Sequence, residues 1–202
     1  AVTQWAGMQL CEIYSHPLRE RPADFRCAVV CQDYGPQDPQ IRDTSLVADL
    51  IQRIQQARHT NQLFVNIPGE GHEHIELIHV DDLADACLHL MQQPRSVLQM
   101  RTHEGARHIN IGSGEEICLC ELTHLICRQL DYRGTVNFEP MLQDLRPRCL
   151  LDSARAHALG WSAQHELVAG VQDVCRQYVN DRGDSWLAHS RATNTACPAH
   201  VQ

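Results

Sequence analysis

Three observations predict an α/β fold for this chain of 202 residues. Helical and extended patterns alternate along most of its length, as in chains that wrap helices around a sheet. The run Cys27–Cys31 is apolar without a break, which suits a strand covered on both faces, the habit of parallel sheets. Hydrophobic residues make up 43% of the chain, enough for a sizeable core.

The elements follow in order. AVTQWAGMQLCEIYS reads as a helix with Val2, Ala6, Leu10 and Ile13 on one stripe. After a charged loop, FRCAVVCQDYG gives the first strand and ends in a Tyr-Gly-Pro turn. Thr44 or Ser45 caps the next helix, 46–58, whose stripe is Leu46, Leu50 and Ala57, with Arg53 in the same row. QLFVNIPGEG and IELIHV are short strands, and a helix over 81–93 opens on Asp81 and Asp82, where carboxylates complement the helix dipole. HINIGSG is a strand and turn, 115–130 a helix with acids in its first turn, and TVNFEP a strand. A short helix closed by Gly160 and a last helix over 165–180 complete the order. Residues 1–181 are expected to form one region and 182–202 a disordered tail.

Composition excludes several functions. A net charge of −8 argues against nucleic acid or an anionic membrane surface as partner. No apolar run approaches the roughly 18 residues of a membrane span. The ten cysteines contain no C-x₂-C pair, and Cys118 and Cys120, two apart in the helix predicted over 115–130, should point apart. They read as reduced, mostly buried thiols, with Cys87, Cys127 and Cys175 in apolar helix positions, and the expected location is cytoplasmic. His72, His74 and His79 supply no fixed fourth ligand, so no metal is expected. No G-x-G-x-x-G follows a strand; Gly112-Ser113-Gly114 has only its first part, and the acids after it would repel a pyrophosphate.

Four stretches carry a resemblance: YGP, IHVDDLADACLHLM, HINIGSGEEICLCELTHLI and LLDSARAHALGW. With AGMQLCEIY they resemble the C-terminal part of GDP-L-fucose synthases, which are extended short-chain dehydrogenase/reductases. The similarity runs from Ala1 to about Asn180. It implies the C-terminal part of a Rossmann-type fold with the small substrate-binding region, the N-terminal dinucleotide-binding half being absent from this chain. It further implies NADPH as cofactor and a GDP-sugar as substrate. The implied chemistry is epimerisation at two carbons α to a ketone, then hydride reduction, which needs an acid/base group, a proton-donating Tyr and a Lys that lowers its pKa.

Carried over by position, the family's Y-x-x-x-K places its Tyr just before Ala1 and its Lys on Gln4. The segment beside the nicotinamide becomes Val30-Cys31-Gln32-Asp33, so Gln4, Cys31, Gln32 and Asp33 are the cofactor-side residues. The acid/base His falls nearest Leu46, the Arg before H-V-D-D becomes Ile75, the base-stacking Trp becomes Pro68, and a Lys becomes Cys149. Arg53 and Asp144 match substrate-contacting residues, and Arg148 is within the same reach of a phosphate. No catalytic residue is retained. Expected partners are a GDP-sugar, together with a second copy of the chain or an N-terminal half. Three readings remain: the substrate-binding part of a GDP-L-fucose synthase-like enzyme, a degenerate homologue that binds a nucleotide sugar or dimerises through the first helix, and a structural fragment without a ligand.

Overall fold

The computed structural model describes residues 2–15, 24–36, 45–101, 108–140 and 150–182. Asp144, Arg148, Cys149 and the tail beyond Arg182 lie outside the described residues. Helix α1 (Val2–Tyr14) is followed by strands β1 (Cys27–Val30) and β2 (Gln32–Tyr34), then α2 (Leu46–His59), β3 (Phe64–Pro68) and β4 (His74–His79). Next come α3 (Val80–Gln92), α4 (Arg95–Arg101), β5 (His108–Ile111), β6 (Glu116–Cys118), α5 (Leu119–Gln129), β7 (Thr135–Glu139), α6 (Ala154–Ala158) and α7 (Leu167–Arg182).

Pairing is mostly parallel, as the apolar strands require. β1 pairs with β5, β2 with β4 and β3 with β7, all parallel, while β4 takes β6 antiparallel at its other end. The chain changes partner at Cys31, because Val30 is in register with Ile111 whereas Gln32 is in register with Leu77. Alternation along β4 divides the apolar residues between two cores. Leu77 joins the larger core, built from α2, β3, α5 and α7, and Ile78 joins the smaller one with Ala86, Leu90, Ile109, Ile111 and Trp161. Each fully buried Leu or Ile contributes roughly 1.5–3 kcal/mol, so these layers hold the strand ends in place.

Several local expectations change. The 115–130 stretch is not one helix: Glu116–Cys118 pairs antiparallel with β4, and α5 begins at Leu119. Glu121 caps it by accepting from the Cys118 N–H, and Cys118 Sγ lies 3.7 Å from Cys120 Sγ instead of pointing away. Cys127 and Cys175 are buried as expected, but Cys87 is exposed. The β1 residues are half-buried, short of the expected double cover. Ser45 does cap α2, whereas its buried stripe is Val47, Leu50, Ile51, Ile54 and Ala57, with Leu46 at the margin and Arg53 outside it. Helix α4 has no counterpart in the periodicity reading. The stripe of α1 is not buried at all: Val2, Leu10 and Ile13 are exposed, and Trp5 is 62% exposed.

Candidate functional site

The pivot at Cys31 lies beside the one buried acid of β4. Glu76 is 3% exposed, and its two oxygens are both engaged. Oε1 accepts from the Gly114 N–H at 2.9 Å, and Oε2 accepts from the Leu151 N–H at 2.8 Å. Gly112 closes the arrangement, since any Cβ there would collide with the Glu76 carboxylate, and its N–H donates to Ser153 Oγ at 3.1 Å. Gly114 has φ +80°, open to glycine at no steric cost. The Gly112–Gly114 turn thus aims its N–H at a carboxylate of the same chain. The acids after this turn oppose a pyrophosphate there; the stronger obstacle is Glu76, whose carboxylate already takes the Gly114 N–H. An acid inside the apolar run IELIH was the signal for such a buried, paired carboxylate.

The cofactor-side residues share this neighbourhood only in part. Cys31 donates its N–H to the Ile111 carbonyl at 3.3 Å, and burial, reinforced by the Glu76 charge, pushes its thiol up to about 12, so it is not a nucleophile. Gln32 is half-buried and Asp33 exposed, both in register with β4. Gln4 lies on the exposed helix α1. Of the substrate-side residues, Arg53 stands on α2 with its side chain 42% exposed and its Nε 2.7 Å from Asp49 Oδ2, one helical turn back. Leu46 and Ile75, the positions expected from the resemblance for an acid/base His and an Arg, both pack against the larger core. Pro68 ends β3, in register with Glu139.

A second polar cluster gathers where β2 and β4 end. Tyr34 and His79 meet edge to face at 5.3 Å, and the His79 ring stacks on His165 at 4.3 Å with 18° between planes. His79 caps α3, accepting the Asp81 N–H at Nδ1 over 3.2 Å. Asp82 lies in the first turn of α3, as its sequence position suggests, but it also has a distant partner. It is buried and takes two bonds from His165, one from the main-chain N–H at 3.0 Å and one from Nδ1 at 2.8 Å. Burial alone would raise the Asp82 pKa, but these bonds outweigh it and hold the carboxyl below its ordinary range. Burial, helped by His165, lowers the pKa of His79, and burial with the Asp82 charge pushes the Tyr34 phenol up to about 12. His165 was not singled out from the sequence, where it reads only as the first residue of the last helix; in the structure it precedes α7.

The model of the NAD dependent epimerase/dehydratase family matches residues 1–112. The chain is 32% identical over 183 residues to the GDP-L-fucose synthase of Escherichia coli (strain K12), covering 90% of this chain and 56% of that protein. It is 31% identical over 182 residues to the probable GDP-L-fucose synthase 1 of Oryza sativa subsp. japonica, covering 90% and 52%. Among solved structures, a GDP-6-OMe-4-keto-L-xylo-heptose reductase from C. jejuni superposes with a TM-score of 0.76 at 22% identity, covering 88% of this chain and 59% of that one. The UDP-glucose 4-epimerase of Thermotoga maritima gives 0.71 at 21% identity, covering 89% and 53%. The fold is that of these Rossmann-type enzymes, and the chain spans about half the length of the curated relatives it matches.

Proposed function

The chain belongs to the NAD dependent epimerase/dehydratase family, and from that membership we propose that it is the GDP-sugar-binding part of a GDP-L-fucose synthase-like protein, without catalytic groups of its own. The observation that carries this reading is the fate of two positions. Leu46 and Ile75 stand where the resemblance calls for a proton carrier and a guanidinium, and both are packed against the apolar core. Neither exchanges a proton, and losing one acid/base group costs roughly 10²–10⁴ in rate. Gln4, in the place of the Lys, is neutral and cannot depress a phenol pKa by charge.

Substrate binding rests on Arg53, Asp144 and Arg148. The Arg53–Asp49 pair is a solvent-exposed contact on one helix, worth about 0.3–0.5 kcal/mol. Transferring that guanidinium from Asp49 to a diphosphate therefore costs little, and a bidentate Arg–phosphate contact returns more. NADP is the cofactor of the proposed enzyme class, but the described residues do not fit its pyrophosphate: Glu76 fills the Gly112–Gly114 turn, and Asp33 is an exposed anion. No step is therefore assigned to a cofactor on this chain.

The exposed apolar stripe of α1 favours a second reading, in which the chain is a non-catalytic homologue that dimerises through that helix and still holds the nucleotide sugar. Calorimetric titration with GDP, alongside NADPH consumption on the GDP-4-keto-6-deoxy sugar, tests both. GDP binding without turnover is expected. Turnover by this chain alone would overturn the absence of catalytic groups, and no GDP binding would overturn the substrate assignment.

A further inference from the structure

The polar cluster at the end of β4 plays no part in the function proposed above, and its donor set suits a cation. We propose that His79, Asp81 and His165 form a binding site for a divalent transition-metal ion of the zinc class. Each residue offers one ligand atom, and the three atoms lie within 4.8 Å of one another. Around a tetrahedral ion held at about 2.0–2.2 Å, neighbouring ligand atoms stand roughly 3.3–3.6 Å apart. His79 Nδ1 and Asp81 Oδ2 are 3.6 Å apart, already on that scale. The His165 ring, stacked on His79 at 4.3 Å, must turn for its in-plane lone pair to meet the same ion, and its 41% exposed side chain leaves room for that turn. Two imidazoles and one carboxylate suit zinc, cobalt or nickel, whereas calcium and magnesium prefer oxygen alone.

Asp82 supplies what a chance cluster lacks. It accepts two bonds from His165, from the main-chain N–H and from Nδ1–H, and so leaves the Nε2 lone pair free for a ligand. A carboxylate behind a ligating His holds its tautomer and raises its basicity. Electrostatics divide but favour the ion. The N-terminus of α3 opposes a cation with about half a charge. Asp81 and Asp82 each place a full negative charge beside it, and Asp173 acts on His79 from α7. The ion also displaces the 3.2 Å Asp81 N–H bond from His79 Nδ1, but Asp81 is exposed, so water takes up that donor. The bound metal would tie the end of β4 and the first turn of α3 to the residues entering α7. It binds the folded chain alone, so it stabilises that state.

The test uses tag-free, chelator-treated protein titrated with Co²⁺, read by its visible ligand-field absorption, and with Zn²⁺ by calorimetry. A single Co²⁺ is expected to give the intense spectrum of a four- or five-coordinate site. His165→Ala and Asp81→Asn should each weaken binding at least about tenfold, and Asp82→Asn by about 10–100-fold. Zn²⁺ should raise the Tm of the parent protein but not of His165→Ala. Replacing His72 and His74 by Ala controls for the other histidines and should leave the site intact. An octahedral Co²⁺ spectrum like that of the free ion, or unchanged affinity in His165→Ala with its fold retained by circular dichroism, overturns the site.

Discussion

Glu76 and Gly114 are joined by a 2.9 Å hydrogen bond from the Gly114 N–H to the Glu76 carboxylate, which brings a turn that could have cradled an anion under the control of a strand. The other oxygen of Glu76 holds Leu151, and Gly112 is bare enough to let the carboxylate in. One acid therefore ties β4, the turn after β5 and the start of the 150–153 segment. A phosphate at this Gly-x-Gly turn would have to displace the Glu76 carboxylate from the Gly114 N–H.

That arrangement predicts a graded response to substitution. Glu76→Gln keeps one acceptor and sets an amide donor against one of the two N–H groups. Leaving a fully buried donor unpaired costs about 1–3 kcal/mol, an upper bound for these part-buried N–H groups. Glu76→Ala abandons both donors and leaves a cavity, so it should cost more than Glu76→Gln. Urea unfolding followed by circular dichroism measures the series. Equal stability of the parent and Glu76→Ala would show that the carboxylate does not hold these segments.

Arg53 should behave differently, because its partner is on the surface. Arg53→Ala is expected to change stability by no more than about 0.5 kcal/mol. If the guanidinium holds a diphosphate, the same change should weaken GDP binding by about tenfold or more, since a hydrogen bond to a charged group contributes about 1.5–3 kcal/mol. Calorimetry with GDP decides it, and unchanged affinity would remove Arg53 from the site. NADPH titration of the same protein should show no micromolar binding, given the occupied Gly112–Gly114 turn.

Most of the framework was legible because periodicity reports it. The alternation of elements, the Ser45 cap, the helix over 81–93 and the parallel character of Cys27–Val30 all come from side-chain spacing. What periodicity does not report is pairing between distant segments. The β6 residues Glu116–Cys118 read as helix because their acids fit a first turn, yet partner β4 draws them into a strand. That error alone displaced Cys118, which caps α5 beside Cys120. Asp82 was legible as an acid at a helix start but not as the holder of His165, eighty-three positions away. Of the expected site, Arg53, Gln4, Cys31, Gln32 and Asp33 could be placed by position, but only Cys31 has a described link to the Glu76 cluster.

Acid should loosen the Gly-rich turn between β3 and β4. The Glu73 carboxylate accepts the Glu70 N–H at 2.5 Å. Partial burial opposes ionisation, but bonds from the Glu70, Glu73 and Gly71 N–H groups outweigh it and lower the pKa from 4.5. A folded pKa below the unfolded one means the unfolded chain binds the proton more readily. The stabilisation is then complete above the unfolded pKa and is lost as pH falls through the folded value. The stability margin of the parent over Glu73→Gln should therefore shrink as pH falls below 4.5. A margin that is flat over that range would mean that the turn bonds do not distinguish the charged form.

Helix α1 carries the last prediction. Its apolar stripe is solvent-facing, with Val2 80% exposed and Leu10, Ile13 and Tyr14 also open, and none of its residues is buried. Helices this short are marginal on their own in water and depend on packing for most of their stability. Exposed apolar residues grouped on one face mark an interaction surface. A second copy of the chain covering that stripe would supply the packing. Trp5→Glu combined with Leu10→Glu should convert dimer to monomer in sedimentation equilibrium. The two cores, built without α1, should keep the folded signal of the remaining chain. A parent protein that stays monomeric at high micromolar concentration would exclude self-association through α1 and leave that face to a different polypeptide.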